Sequence, residues 1–184
     1  MVATKVRQPK TYEDYLATPD DGRKYELIDG EILVCAAPVI DHQRLAGRLY
    51  RLLADAVDQN GDEAFISPIA VSLNAINTLE PDVVYRRHDS ASIVEVRRII
   101  GAPDLVVEVL SPGTASRDQV RKRAIYESAG VAEFWIFDPA TRTCVALRLV
   151  DGQYQRVQPV DGLLATNVVP HFHLDLAALF ATLP

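Results

Sequence analysis

Three observations predict an α+β protein, built as a mixed sheet flanked by helices. The run Leu105-Val106-Val107-Glu108-Val109-Leu110 is apolar on both faces except for one carboxylate, the pattern of a strand buried on both sides. Ser111-Pro112-Gly113 breaks that strand, and the pattern that follows is helical, with Asp118, Lys122 and Tyr126 on one face at i, i+4 and i+8. Three later strands, Glu133–Asp138, Cys144–Leu149 and Tyr154–Val157, are separated by short turns, which predicts an antiparallel meander at the C-terminal end of the core.

Composition narrows the class. The chain has 184 residues and is 48% hydrophobic, enough for one domain with a sizeable core. Residues 1–184 are read as a single domain, with 1–10 as a flexible tail. No apolar run approaches the ~20 residues of a membrane span. The opening MVATKVRQPK has basic residues without an apolar stretch behind them, so no secretory signal is expected and the location is read as cytoplasmic. Cys35 and Cys144 stand alone without CxxC spacing and are read as buried free thiols. A net charge of −6 argues against a protein that coats polyanions indiscriminately, while leaving room for a local basic patch.

Taken in order, the stretch Thr11–Leu16 carries an N-cap candidate and an acidic first turn, so a short helix is expected there. Tyr25–Ile28, Asp29-Gly30 and Glu31–Cys35 form a hairpin signal with a type I′ turn. A long helix is expected over Asp41–Gln59, with Leu45, Leu49, Leu52, Leu53 and Ala56 as its apolar stripe and Asn60-Gly61 closing it. Short strands follow on either side of Pro68, then a turn over Asn74–Leu79. Glu80–Tyr85 is a strand entered through Pro81. Arg86–Ile100 is irregular, with a short helix expected near Ser92–Arg97. Gly130 should stop the central helix, and Leu174–Leu183 should form an amphipathic helix.

The residues that could carry chemistry cluster near the central strand. A buried Glu108 must be paired, protonated or bound to a cation. Asp82 opens another strand; if the two strands are neighbours their carboxylates converge, and a cation between them relieves the repulsion. Hard oxygen donors suit Mg²⁺ or Mn²⁺. Lys122 could orient a water or stabilise charge on a phosphate, although a solvated Asp118–Lys122 pair explains it as simply. Arg117, Arg121 and Arg123 make that helix the best local basic patch. Glu26, in the first hairpin, could supply a third carboxylate. His42 opens the long helix and could equally lie on the surface. His171 and His173, one residue apart, would face one way on a strand. Trp135 and Phe137 are most simply core, and Ser111 has no histidine partner that would make it a nucleophile.

The segments YELIDGEI, His42, Pro81-Asp82, APDLVVEVLSP, the Asp118/Lys122/Tyr126 triplet and GVAEFWIFDP together resemble the Uma2 (Uma-two) family, over about Thr11 to Leu179. That family is a bacterial branch of the restriction-endonuclease-like PD-(D/E)XK superfamily. The resemblance implies a restriction-endonuclease-like core and a Mg²⁺- or Mn²⁺-dependent phosphodiesterase site. In the superfamily motif the aspartate corresponds to Asp82, the acid of the second strand to Glu108, and the early glutamate to Glu26. Where that motif has its lysine this chain has Leu110, and the lysine function is expected to come from Lys122. A second departure is Glu80 before Pro81, where the family often has a neutral amide.

The leading expectation is therefore a metal-dependent endonuclease acting on nucleic acid, DNA first, as a homodimer. Asp82, Glu108 and the Val109 carbonyl would hold the metal, with Glu26 and Lys122 in the reaction and Asp118, Tyr126 and His42 supporting them. The alternative is a nuclease fold that only binds nucleic acid or a protein partner. A metal-independent hydrolase has no constellation behind it.

Overall fold

The computed structural model of the chain describes residues 8–57, 61–111, 115–181 and 183, with the backbone alone for 115–118. The helices are α1 (Tyr12–Leu16), α2 (Ile40–Asp55), α3 (Ala115–Ala129) and α4 (Leu176–Phe180). The strands begin with β1 (Tyr25–Ile28), β2 (Glu31–Val34), β3 (Glu63–Ile66), β4 (Ala70–Asn74), β5 (Asn77–Leu79), β6 (Val83–Arg86) and β7 (Ile93–Val94). They continue with β8 (Arg98–Ile100), β9 (Leu105–Val109), β10 (Glu133–Asp138), β11 (Thr143–Val150), β12 (Gln153–Val157), β13 (Leu163–Ala165) and β14 (His173–Asp175).

The larger core is the sheet β12-β11-β10-β9-β6-β3. Its centre is parallel, β9 beside β10, because α3 crosses over between them; the rest is antiparallel, including the expected β10–β11–β12 meander. One face buries Val83, Tyr85, Leu105, Val107, Trp135 and Phe137 against α2 and α4. The other buries Val106, Phe134 and Ile136 against Ile125 and Tyr126 of α3. Alternation along each strand assigns successive residues to opposite faces, so an apolar run on β9 is required by covering on both sides. At ~1.5–3 kcal/mol for each large side chain removed from water, these two faces supply the principal driving force.

The second sheet, β2-β1-β5-β4-β8-β7, packs on the α3 face through Val71, Ile99 and Val84. Asp29 and Gly30 take φ of 48° and 74°, the two left-handed residues that a type I′ turn requires. Lys10 donates its N–H to the Gly30 carbonyl at 2.8 Å, which ties the last residue of the expected tail to that turn; residues 1–7 lie outside the described residues. The mixed sheets flanked by helices are those expected. No helix among the described residues is long and apolar enough to cross a membrane.

Four local expectations are corrected. The supposed turn over Asn74–Leu79 contains strand β5, whose polar members are satisfied across the sheet. Ser72 and Thr78 hydroxyls lie 3.0 Å apart, and Asn77 Oδ1 accepts the Asp29 N–H at 2.8 Å. The helix expected near Ser92–Arg97 is instead the β7–β8 hairpin, in keeping with its β-branched Ile93, Val94 and Val96. Helix α2 ends at Asp55 instead of Gln59, with Ala56 as its C-cap, and residues 58–60 lie outside the described residues. The C-terminal helix begins only at Leu176, because Asp175 caps it by accepting the Ala178 N–H at 2.9 Å. Leu174 lies in β14, paired with Leu164.

Candidate active site

The register between β6 and β9 brings the two predicted acids together. Val83 stands opposite Val107, and Asp82, the residue just before β6, therefore sits at the end of β9 that carries Glu108 and Val109. The backbone then pins Asp82 from both sides. Its N–H donates to the Val107 carbonyl at 3.1 Å and its carbonyl accepts the Ser67 N–H at 3.0 Å. Its carboxylate accepts the Val109 N–H at 2.7 Å.

Glu26 reaches the same place from β1 and is 1% exposed. Its Oε1 accepts the Glu80 N–H at 3.0 Å and one N–H of Lys122 at 2.9 Å. The Lys122 ammonium also donates to both oxygens of Glu108, each at 3.1 Å. Tyr126, one turn along α3, donates its hydroxyl to Glu108 Oε1 at 2.8 Å. From α2, His42 sets Nε2 3.1 Å from Asp82 Oδ2, and its buried Nδ1 has no partner among the described residues.

Glu26, His42, Asp82, Glu108 and Lys122 edge one cleft of about 460 Å³, whose walls include Leu33, Val109, Leu110 and Phe134. Burial raises the Glu26 carboxyl, but Lys122, Lys24 and the Glu80 N–H outweigh it and leave the pKa lowered. Asp82 follows the same pattern: burial raises it, while the His42 hydrogen bond, the Lys24 charge and the Val109 N–H bring it below the usual value. Glu108 goes the other way. Burial pushes it up, Lys122 pulls it down, and the nearby Glu26 and Asp82 charges add to the rise. Burial would lower Lys122, yet the Glu108 and Glu26 carboxylates hold it well above its ordinary value.

The sequence reading missed Lys24, whose Nζ lies 3.8 Å from Asp82 Oδ1. The signal was present, since Lys24 is two residues before Glu26 and a strand's period of two puts both on one side. Cys35 also lines the cleft. It is free, and burial, with Glu26 nearby, pushes its thiol up to about 12. Cys144 is free as well.

Glu26, Asp82 and Glu108 set three carboxyl groups against the two ammoniums of Lys24 and Lys122 in the cleft, a grouping of acids that a bound cation would favour. The donors offered by Asp82 and Glu108 are hard oxygens, which fits Mg²⁺ or Mn²⁺. Among the described residues no three His, Cys, Asp or Glu side chains are gathered to ligate an ion by themselves. A bound ion would take main-chain and water oxygens too, as Mg²⁺ commonly does.

Other expected features do not join the cleft. The Asp118 side chain lies outside the described residues. Of the basic patch expected on α3, the Arg117 side chain lies outside the described residues, and Arg121 and Arg123 are spent on structure. Arg121 bonds Asp29 at 2.8 Å, the Ile28 carbonyl at 2.9 Å and Glu31 at 3.3 Å, while Arg123 bonds the Tyr154 carbonyl at 3.5 Å. His171 sits in a turn with φ of 57° and only His173 lies on a strand, so the pair does not share a strand face.

Sheet order, crossover helix and cleft define a fold already seen in a solved structure. That structure is described as "a putative nuclease belonging to DUF820" from Anabaena variabilis. It superposes with a TM-score of 0.80 at 21% identity, covering 96% of this chain and 100% of the other. Residues 12–177 match the Uma2 family, described as "Putative restriction endonuclease"; the chain belongs to the Uma2 family. A cyanobacterial relative, uncharacterized protein sll1609 of Synechocystis sp., is 28% identical over 120 residues, spanning 64% of this chain and 68% of the relative.

Proposed function

We propose that this protein is a divalent-metal-dependent endonuclease that hydrolyses phosphodiester bonds of nucleic acid, DNA first, through the Asp82–Glu108 cleft. The observation that carries this reading is the convergence of Asp82 and Glu108 across neighbouring strands, with Glu26 and Lys122 beside them. Asp82 and Glu108 would hold Mg²⁺ or Mn²⁺ together with the Val109 carbonyl. Such an ion would supply Lewis acidity, offsetting charge on the phosphate and making water a better nucleophile. Lys122 holds Glu108 and Glu26 in place and presents positive charge to the phosphate. Tyr126 and His42 orient Glu108 and Asp82, and Asp118 is assigned the same supporting role on α3. Lys24 adds an ammonium on the Asp82 side.

The family's description supports nuclease chemistry. Residues 1–184 are assigned to one domain, acting in the cytoplasm as a homodimer whose paired sites engage both strands of a duplex.

The test is cleavage of supercoiled plasmid, single-stranded DNA and RNA with Mg²⁺, Mn²⁺ or EDTA, for wild type and Glu108→Ala. Metal-dependent cutting, lost in a folded Glu108→Ala protein, is the expected result; cutting retained by the variant would sink the assignment. A second reading rests on Leu110 at the usual lysine position and on Lys122 being held by two carboxylates: a module that binds nucleic acid or a protein without cutting. Binding without cleavage on every substrate would favour it.

A further inference from the structure

Helix α2 carries its own anomaly on the side turned away from the core. Its buried face is Leu45, Ala46, Leu49 and Leu53. At 100° per residue, Arg44, Arg48 and Arg51 fall together on the opposite side. Arg44 is partly engaged, 2.8 Å from Asp41 with both side chains about half exposed. Arg48 keeps a buried Nε without a hydrogen-bond partner among the described residues.

Gly47 lies at the edge of this stripe, in the middle of the helix. A helical glycine is unfavourable relative to alanine and is normally excused by a neighbour that needs the space. Here a Cβ would meet nothing within 4 Å. The fold does not require the glycine.

Position supplies the rest. His42, Gln43 and Ala46 of α2 line the cleft, and around the helix Gly47 falls between Gln43 and the arginines. A backbone left bare between an acidic cleft and a basic stripe is what close approach of an extended anionic chain requires.

We infer that Arg44, Arg48, Arg51 and Gly47 of α2 form the surface along which the sugar–phosphate backbone of the nucleic acid lies as it enters the cleft. This deepens the nuclease reading and rests on it. Charge complementarity selects the occupant: with a net charge of −6 on the whole chain, a polyanion needs a local positive track to approach.

The experiment measures binding of fluorescein-labelled duplex DNA by anisotropy across a salt series, in EDTA so that no metal-dependent cutting intervenes. Wild type is compared with the triple variant Arg44→Gln/Arg48→Gln/Arg51→Gln and with Gly47→Ala. Thermal melting and circular dichroism confirm folding. The triple variant should lose at least tenfold in affinity, and its slope of log K against log salt should shrink by about 2.7, the value for three lost phosphate contacts. Gly47→Ala should melt at or above the wild-type temperature and yet bind several-fold more weakly, an opposition that a structural role for the glycine does not produce.

Equal affinity and slope in wild type and triple variant overturn the inference. If wild type still cuts DNA and Glu108→Ala does not, the nuclease reading survives that failure. Wild type that neither binds nor cuts overturns both. Binding of polyglutamate as tight as that of DNA would give the stripe to an acidic polypeptide and also overturn the inference.

Discussion

One ammonium joins two glutamates that are far apart in sequence: Lys122 Nζ lies 2.9 Å from Glu26 Oε1 and 3.1 Å from each carboxylate oxygen of Glu108. This contact locks α3 to both sheets. It also commits that ammonium to the two glutamates, so Asp82 is faced instead by Lys24 and His42.

Lys122→Met should therefore be costly to the fold as well as to any reaction. It leaves Glu26 and Glu108 buried without their cation, and breaking such a pair from one side costs about 3 kcal/mol or more. Urea denaturation should show this loss, and Glu26→Gln combined with Lys122→Met should recover part of it. A midpoint unchanged by Lys122→Met would show that the two acids are solvated in the native protein.

Metal binding should be visible without turnover. Mg²⁺ or Mn²⁺ at a hundredfold excess over its Kd should stabilise the protein by about 2.7 kcal/mol, read as a rise in Tm. Asp82→Asn should remove that rise. The same rise in the variant would place the ion elsewhere.

Glu108 should be the first of the three cleft acids to take up a proton in the metal-free protein. Burial and the neighbouring Glu26 and Asp82 charges raise its pKa above the ordinary 4.5, whereas Glu26 and Asp82 are lowered. On acidification of the metal-free protein Glu108 takes up a proton first, and a protonated Glu108 no longer offers a charged donor. Carboxyl NMR of the protein in EDTA should place its titration above 4.5. A midpoint at or below that value would contradict the assignment.

Stability at low pH should depend on Asp62, away from the cleft. Burial raises its pKa, but the Tyr85 hydroxyl and the His88 N–H and ring outweigh it and leave it below 3.8. The unfolded chain then holds this proton more tightly. Asp62 thus stabilises the fold above pH 3.8, and its contribution disappears as pH falls through the lower folded value. Asp62→Asn should flatten the acid side of a stability–pH curve, with the largest loss of stability at neutral pH.

Glu133 offers a contrast to Glu108. It is fully buried, and Trp135 Nε1 donates to it at 3.1 Å, Arg148 Nε at 2.9 Å and the Asn167 N–H at 2.9 Å. Its donors hold the β10–β11 pair and the following segment together without opening onto the cleft. Arg148→Ala should destabilise by about 3 kcal/mol in a chemical melt while leaving metal-induced stabilisation intact.

Much of this protein was legible in its residues because those signals are short-range. Asp29-Gly30 could only turn one way, and the apolar run around Glu108 could only be a strand covered on both faces. Lys122 and Tyr126 had to share a side of α3, since helical pitch places them there. Glu108 stood out as the one carboxylate in an otherwise apolar strand, whereas Asp82 after Pro81 read as simply as a turn cap. What the tertiary structure alone decided was pairing across distance. Residue-by-residue patterning does not say that Asp82 meets Glu108 in one cleft, because strand register is set by packing and loop geometry across the sheet. It could not show that Asn77-Thr78-Leu79 is an internal strand, since its polar side chains find partners only after Ser72 and Asp29 arrive. Nor could it show that Arg121 is consumed by the hairpin while α2 keeps an arginine stripe. The same residue type serves structure or stays available according to which acids the folded chain brings beside it.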